Sequence, residues 1–167
     1  MEINVAQLLK QPVGANRKYT ISEYADLGDG DLSLTKGEVT LLRTDRGILA
    51  QGLLEGKIKA VCSRCLGMFD YPIGLKIQEE FFPTLDPIRG VRLSPPETAD
   101  DLIIDENHIL DLAETVRQQG VIAMPLKPLC RPDCAGLCPS CGQDLNQGPC
   151  SCPSEGQKEI ISNATLT

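Results

Sequence analysis

The chain has 167 residues, a formal net charge of -7, eight cysteines, one histidine and no tryptophan. That length suits one ordinary domain with a small appendage, and the acidic balance argues against nonspecific nucleic-acid binding, which needs lysine and arginine to neutralise phosphates. No run approaches the roughly 18 apolar residues of a membrane-spanning helix, and Met1-Glu2-Ile3-Asn4 lacks the basic-then-apolar order of a secretory signal, so a cytoplasmic protein without membrane partners is expected.

In chain order, Ile3, Val5, Leu8 and Leu9 form a short amphipathic pattern stopped by Pro12, which predicts a helical turn or two. Tyr19 and Ile21 alternate with polar residues between Arg17 and Tyr24, predicting a short strand that closes in the turn Gly28-Asp29-Gly30. From Leu32 to Phe82 the pattern is that of consecutive antiparallel strands. Val39, Leu41 and Leu42 run into a turn at residues 43–47, Ile48-Leu49-Ala50 leads to Gly52-Leu53-Leu54-Glu55-Gly56, and Ile58 and Val61 carry the chain to Cys62. A meander of about four strands is expected. Tyr71, Ile73, Leu75 and Ile77 then alternate cleanly, which places Cys62 and Cys65 in the tight turn between two strands.

Residues 83–101 carry four prolines and read as a mobile loop, and Leu102, Ile103 and Ile104 suit one more short strand. Asp111 and Glu114 have the spacing of a capping box with aspartate in place of serine or threonine, so a helix is expected at about 111–123. Its apolar face is Leu112, Ala113, Val116, Gly120 and Ala123, with Glu114, Arg117 and Gln118 on the wet side. Gly120 weakens such a helix by about 1 kcal/mol relative to alanine, and Pro125 and Pro128 end it. The expected organisation is a β-rich scaffold over residues 1–126, a cysteine-rich module over 127–154 and a disordered tail over 155–167. With three Phe and three Tyr, the core has to come from Leu, Ile and Val.

Six cysteines fall between Cys130 and Cys152, and the other two form the pair Cys62-Ser63-Arg64-Cys65. In a reducing compartment such grouping points to metal ligation before a disulfide scaffold. Structural Zn²⁺ takes four tetrahedral ligands, and a C-x-x-C turn presents two sulfurs to one ion. Gly136-Leu137-Cys138-Pro139-Ser140-Cys141-Gly142 is a strong example, completed by Cys150 and Cys152, whose C-x-C spacing is the weaker half. Cys62, Cys65, Cys130 and Cys134 then make a second set. Closing the intervening loop of about 65 residues costs roughly 4 kcal/mol, against the about 10 to 16 kcal/mol that structural zinc contributes in model peptides. The spacing also allows Cys130, Cys134, Cys138 and Cys141 to share a single ion, so one or two Zn²⁺ ions are expected. Standard iron–sulfur spacings are lacking. The lone His108 stands apart from the cysteines and reads as an exposed loop residue, not a ligand. Lys57, Lys59 and Arg64 near the first pair, with Lys127 and Arg131 near the second, make a candidate cationic face for RNA phosphates or, equally, a balance for thiolate charge.

The order Cys62-Ser63-Arg64-Cys65-Leu66, an alternating strand ending in Glu79-Glu80-Phe81, then Asp111-Leu112-Ala113-Glu114, then Pro125-Leu126-Lys127-Pro128-Leu129-Cys130 with Cys134-Ala135-Gly136-Leu137-Cys138, resembles the YceD family of bacterial large ribosomal RNA accumulation proteins. The similarity runs from about residue 30 to 152. It implies a role in producing or maturing 23S ribosomal RNA, no enzymatic activity, and a metal role for Cys62, Cys65, Cys130 and Cys134, with the last four cysteines less constrained.

The expected fold is therefore α+β, a mainly antiparallel β meander or partly open barrel with one or two short helices and a C-terminal zinc-binding cysteine module. The expected function is a noncatalytic factor for 23S rRNA accumulation and large ribosomal subunit biogenesis, bound to the large-subunit rRNA precursor or a basic ribosomal protein. No small-molecule substrate is expected, since no Ser-His-Asp set, phosphate loop or paired catalytic carboxylates stands out. The alternative is a thiol redox protein or zinc-based switch working through its C-x-x-C cysteines. An oxidoreductase usually places that motif at a helix start, where the dipole lowers the thiol pKa.

Overall fold

The computed structural model describes residues 1–28, 32–96 and 102–152. It is an α+β chain dominated by one seven-stranded sheet, curled into a half-barrel, with two short helices. The strands are β1 (Glu2–Asn4), β2 (Asn16–Asp26), β3 (Leu32–Arg43), β4 (Ile48–Val61), β5 (Met68–Pro83), β6 (Ile103–Ile104) and β7 (Ile109–Asp111). The helices are α1 (Ala6–Leu9) and α2 (Ala113–Ala123), and the sheet order is β1-β7-β6-β5-β4-β3-β2.

The meander β2 to β5 follows from period-two patterning. Ile48, Ala50, Leu54, Ile58 and Ala60 alternate inward along β4, and Ile73, Leu75, Ile77 and Phe81 do so along β5. All of these but Ala60 join Leu41 of β3, Leu8 of α1, Leu110 of β7, and Leu112 and Val116 in one continuous core.

Several expectations need correction. Residues 32–83 form three strands, where about four were expected from Leu32 to Phe82, because residues 48–61 run as one unbroken strand. Gly56 is a point of close approach, since a Cβ there would lie 2.6 Å from Leu27 Cδ1. Gly120 of α2 presses on the same residue from the other side, where a Cβ would come within 2.2 Å of the Leu27 carbonyl oxygen. Leu27 is fully buried between helix and sheet, and the two glycines let α2 lie against β2 and β5.

Ile3 belongs to an edge strand that pairs with Leu110 of β7, and only Ala6–Leu9 is helical. β6 joins β5 in parallel through Phe82 and Ile103, the sole parallel pairing among the described residues. The reciprocal capping box does not form. Asp111 ends β7 and accepts the Ala113 N–H (2.9 Å), Leu112 is the N-cap, and Glu114 turns outward to Arg117 and Gln118. Residues 84–96 are folded back by an antiparallel bridge between Leu85 and Arg92. Asp29, Gly30 and the tail expected at 155–167 lie outside the described residues.

The register positions the site. β3 pairs with β4 only as far as Lys36 opposite Glu55, whereas β4 and β5 remain paired out to Val61 opposite Met68. The β4–β5 hairpin therefore projects past the β3–β4 ladder as a two-stranded ribbon, and the turn at its tip carries Cys62 and Cys65. A two-stranded ribbon is marginal alone, so its tip needs a brace.

Candidate metal centre

At the ribbon tip the Cys62 N–H donates to the Gly67 carbonyl (2.9 Å) and the Leu66 N–H to the Cys62 carbonyl (2.9 Å), with Leu66 in the left-handed region at φ 59°. These bonds curl residues 62–67 so that both sulfurs face one side. The segment after α2 crosses that side. Ser63 donates its N–H to the Pro128 carbonyl (2.8 Å), Leu137 donates to the Arg64 carbonyl (3.2 Å), and the Arg64 guanidinium donates to the Cys134 carbonyl (2.9 Å).

The eight sulfurs gather in two groups, Cys62 with Cys65, Cys130 and Cys134, and Cys138 with Cys141, Cys150 and Cys152. Within each group the Sγ atoms lie within 4.8 Å of one another. The Cys62–Cys134 and Cys65–Cys130 separations are 3.7 and 3.8 Å. A disulfide would need about 2.05 Å. Tetrahedral S₄ coordination with metal–sulfur bonds of about 2.3 Å sets neighbouring sulfurs about 3.8 Å apart, so the observed spacing fits a shared ion. The single-ion set of Cys130, Cys134, Cys138 and Cys141 is not brought together, and neither group includes His108. That histidine is half-buried at a positive φ of 60°, with its Nδ1 buried and without a hydrogen-bond partner among the described residues, unlike the exposed loop side chain expected.

Electrostatics point the same way. The N–H groups of Cys130 and Cys65 aim at the Cys62 sulfur and bring its pKa down to about 6. Cys130 is exposed as a residue, but its sulfur faces the cluster, where desolvation and the thiols of Cys134, Cys62 and Cys65 push it up to about 12. The second group repeats the pattern. The N–H groups of Cys141 and Ser140 lower Cys138 to about 6, and the Cys141 thiol with desolvation raises Cys152 to about 12. Each group welcomes one thiolate and resists another, so four thiolates together require a cation. Each quartet can hold a metal ion.

The second group is built on a small ribbon. The Cys138 N–H donates to the Gln143 carbonyl (2.8 Å), Gly142 donates back to the Cys138 carbonyl (2.8 Å), and Leu145 donates to the Gly136 carbonyl (2.9 Å). Two contributors take roles that the sequence reading did not give them. Arg64 spends its charge on the Cys134 carbonyl, and Asn146 reaches from this ribbon to the first quartet. The first carried a weak signal in its place between the paired cysteines, the second none.

The cationic residues are largely engaged inside the molecule. Lys59 pairs with Asp70, and Arg131 with Asn146 and, at 3.6 Å, Asp133. Lys57 and Lys127 are exposed. Large apolar side chains are exposed around the first quartet's segments, Val61, Leu66 and Met68 on the hairpin and Leu126 on the approach to Cys130. Among the described residues no helix is long and apolar enough to cross a membrane.

An uncharacterized protein of Mycobacterium tuberculosis and one of Mycobacterium bovis are each 24% identical to this chain over 162 residues, covering 89% of it and 72% of the relative. An uncharacterized protein of Mycobacterium leprae is 26% identical over 98 residues, 59% of this chain and 43% of the relative. No solved structure matches. The model of the large ribosomal RNA subunit accumulation protein YceD matches residues 50–162, which take in most of β4, all of β5 and α2, and both cysteine groups, and the chain belongs to that family.

Proposed function

We propose that this protein is a noncatalytic, zinc-stabilised scaffold that supports 23S rRNA accumulation by binding a component of the large ribosomal subunit as it forms. The observation that carries the reading is the first sulfur quartet, which draws a projecting β-hairpin and the segment after α2 into one rigid tip. All eight cysteines serve as ligands in this reading, Cys62, Cys65, Cys130 and Cys134 for one Zn²⁺ and Cys138, Cys141, Cys150 and Cys152 for another. Zinc suits an all-thiolate tetrahedral set and brings no redox chemistry of its own.

A basic ribosomal protein is favoured over direct RNA contact. Three of the five cationic residues near the tip are occupied internally, the tip exposes Leu66, Met68 and Leu126, and the chain as a whole is acidic. Apolar anchors within a polar rim are the usual make-up of a protein-binding surface.

Metal analysis of protein purified under reducing conditions is the first test, with two zinc ions per chain expected. No bound metal together with a readily formed Cys62–Cys65 disulfide would favour the redox alternative. Photo-crosslinking in cells from position 126 should then capture a large-subunit ribosomal protein. Capture of 23S precursor RNA would move the contact to RNA, and capture of neither would overturn the ribosomal reading.

A further inference from the structure

Asn146 lies between Cys141 and Cys150 in the chain, inside the second quartet's span, yet its side chain serves the first. Its Oδ1 accepts the Ala135 N–H (2.8 Å) and an Arg131 guanidinium N–H (2.6 Å), and its Nδ2 donates to Asp144 Oδ1 (2.6 Å) and to the Cys134 sulfur (3.4 Å). The four partners fix the amide's orientation, because exchanging its oxygen and nitrogen would set donor against donor and acceptor against acceptor. Asp144 also accepts the Asn146 N–H (2.9 Å) and is bridged to Leu137 in the ribbon that the Cys138–Cys141 turn closes. The placement of the Asn146 amide thus depends on the ribbon, and the ribbon belongs to the second quartet.

A hydrogen bond to a ligating sulfur orients it and stabilises its thiolate charge, and losing such an outer partner typically costs 10- to 100-fold in metal affinity. We propose that Asn146 is a positioning residue that couples the two cysteine sites: an ion held by Cys138, Cys141, Cys150 and Cys152 sets the ribbon, the ribbon delivers the Asn146 amide to Cys134, and the ion held by Cys62, Cys65, Cys130 and Cys134 is bound more tightly as a result. The inference rests on the metal reading of the preceding subsection.

The test is a double-mutant cycle on the full chain, loaded with Zn²⁺ for affinity and with Co²⁺ for spectroscopy. Cys152→Ser disables the second site and Asn146→Ala removes the bridge. Each alone should weaken the first site about 10-fold or more against a competing chelator, and the two together should weaken it little further. Far-UV circular dichroism should show the sheet intact in each. In the cobalt form of Asn146→Ala, the first site's sulfur-to-metal charge-transfer band should move to lower energy, because the sulfur lone pairs lose their hydrogen bond. Asn146→Asp can still accept from Ala135 and Arg131 but sets a carboxylate against the sulfur, so it should bind at least as weakly as Asn146→Ala. Because that carboxylate also faces Asp144, the readout that separates a purely structural amide is the cobalt band, which such a role leaves unmoved in Asn146→Ala.

Wild-type first-site affinity in Asn146→Ala, or independent and additive losses in the cycle, would overturn the coupling while leaving the metal reading intact. Failure of the wild-type chain to take up either ion would overturn both.

Discussion

The two cysteine quartets share a chemistry and differ in reach. The first joins positions 65 and 72 residues apart, sits with Cys62 and Cys134 buried, and closes on a hairpin that no third strand among the described residues supports at its tip. The second is confined to residues 138–152, with only Cys138 buried, and closes on its own ribbon. An ion in the first site therefore holds tertiary structure, and an ion in the second holds a local loop. Thiolates alone do not set a site's structural weight; the length of chain it closes and the burial around it do.

The largest test of that contrast is removal of one ligand from each. Cys134→Ser should forfeit much of the about 10 to 16 kcal/mol that structural zinc contributes in peptides, seen as a large fall in Tm and as rapid proteolysis after α2. Cys150→Ser should release its ion and expose 142–152 to protease, and lower Tm only by the few degrees that a roughly 10-fold weaker first site, about 1.4 kcal/mol, takes. Equal falls in Tm would break the contrast.

A second test separates the sheet from the metal tip. Gly120→Ala would gain about 1 kcal/mol in helix propensity, but its Cβ would strike the Leu27 carbonyl, and relieving that contact forces α2 away from the sheet. Overpacking of this kind costs about 1 to 3 kcal/mol, so a net loss is expected in urea unfolding, with zinc content unchanged. A stabilised variant would mean that α2 is free to shift.

How far these features could be read in advance depended on how local they are. The alternation in β4 and β5 and the C-x-x-C spacing at 62 and 138 are written in short windows, so the meander, the half-barrel class and the turn holding Cys62 and Cys65 were legible. The apolar run Leu102–Ile104 pointed to β6, but the three residues of β7, Ile109–Asp111, carry no period, so the edge that recruits β1 was not legible. That residues 48–61 run as one strand was hidden by Gly52 and Gly56, because the sequence does not say what packs against them. Asp111 and Glu114 had capping-box spacing, but Arg117 and Gln118 offered Glu114 stronger partners on the helix surface. Asn146 was invisible for a further reason: an asparagine in a polar loop becomes an outer-sphere donor only when another segment's sulfur arrives beside it.

Arg64 gives a smaller effect than the glycine and sharpens the contrast between the quartets. Its guanidinium fastens the ribbon tip to the Cys134 carbonyl, so Arg64→Ala should loosen the first site alone. A hydrogen bond from a charged group contributes about 1.5 to 3 kcal/mol when well shielded, and partial exposure here places the loss at the low end or below it. Faster zinc release from one site, with the other unchanged, is the expected result. Acceleration at both sites would mean that Arg64 supports the module as a whole.

The smallest effect belongs to Glu114, which lies on α2 and touches neither quartet. The Arg117 guanidinium and then the Gln118 amide hold its carboxyl down at about 2 from the ordinary 4.5. Because the folded value is the lower one, the pair's stabilisation is complete above about pH 4.5 and is lost as pH falls toward 2. Both side chains are more than a third exposed, so solvent and salt screen most of the interaction. Glu114→Gln should therefore lower Tm only slightly at neutral pH, and its difference from wild type should shrink toward zero between pH 5 and 2 in a series of melts. Thiolate-bound metal would also be lost in acid, so the two proteins are compared at matched metal content at each pH. A difference that grew on acidification would show that Glu114 is stabilised in its protonated form, contrary to the geometry of its bonds to Arg117.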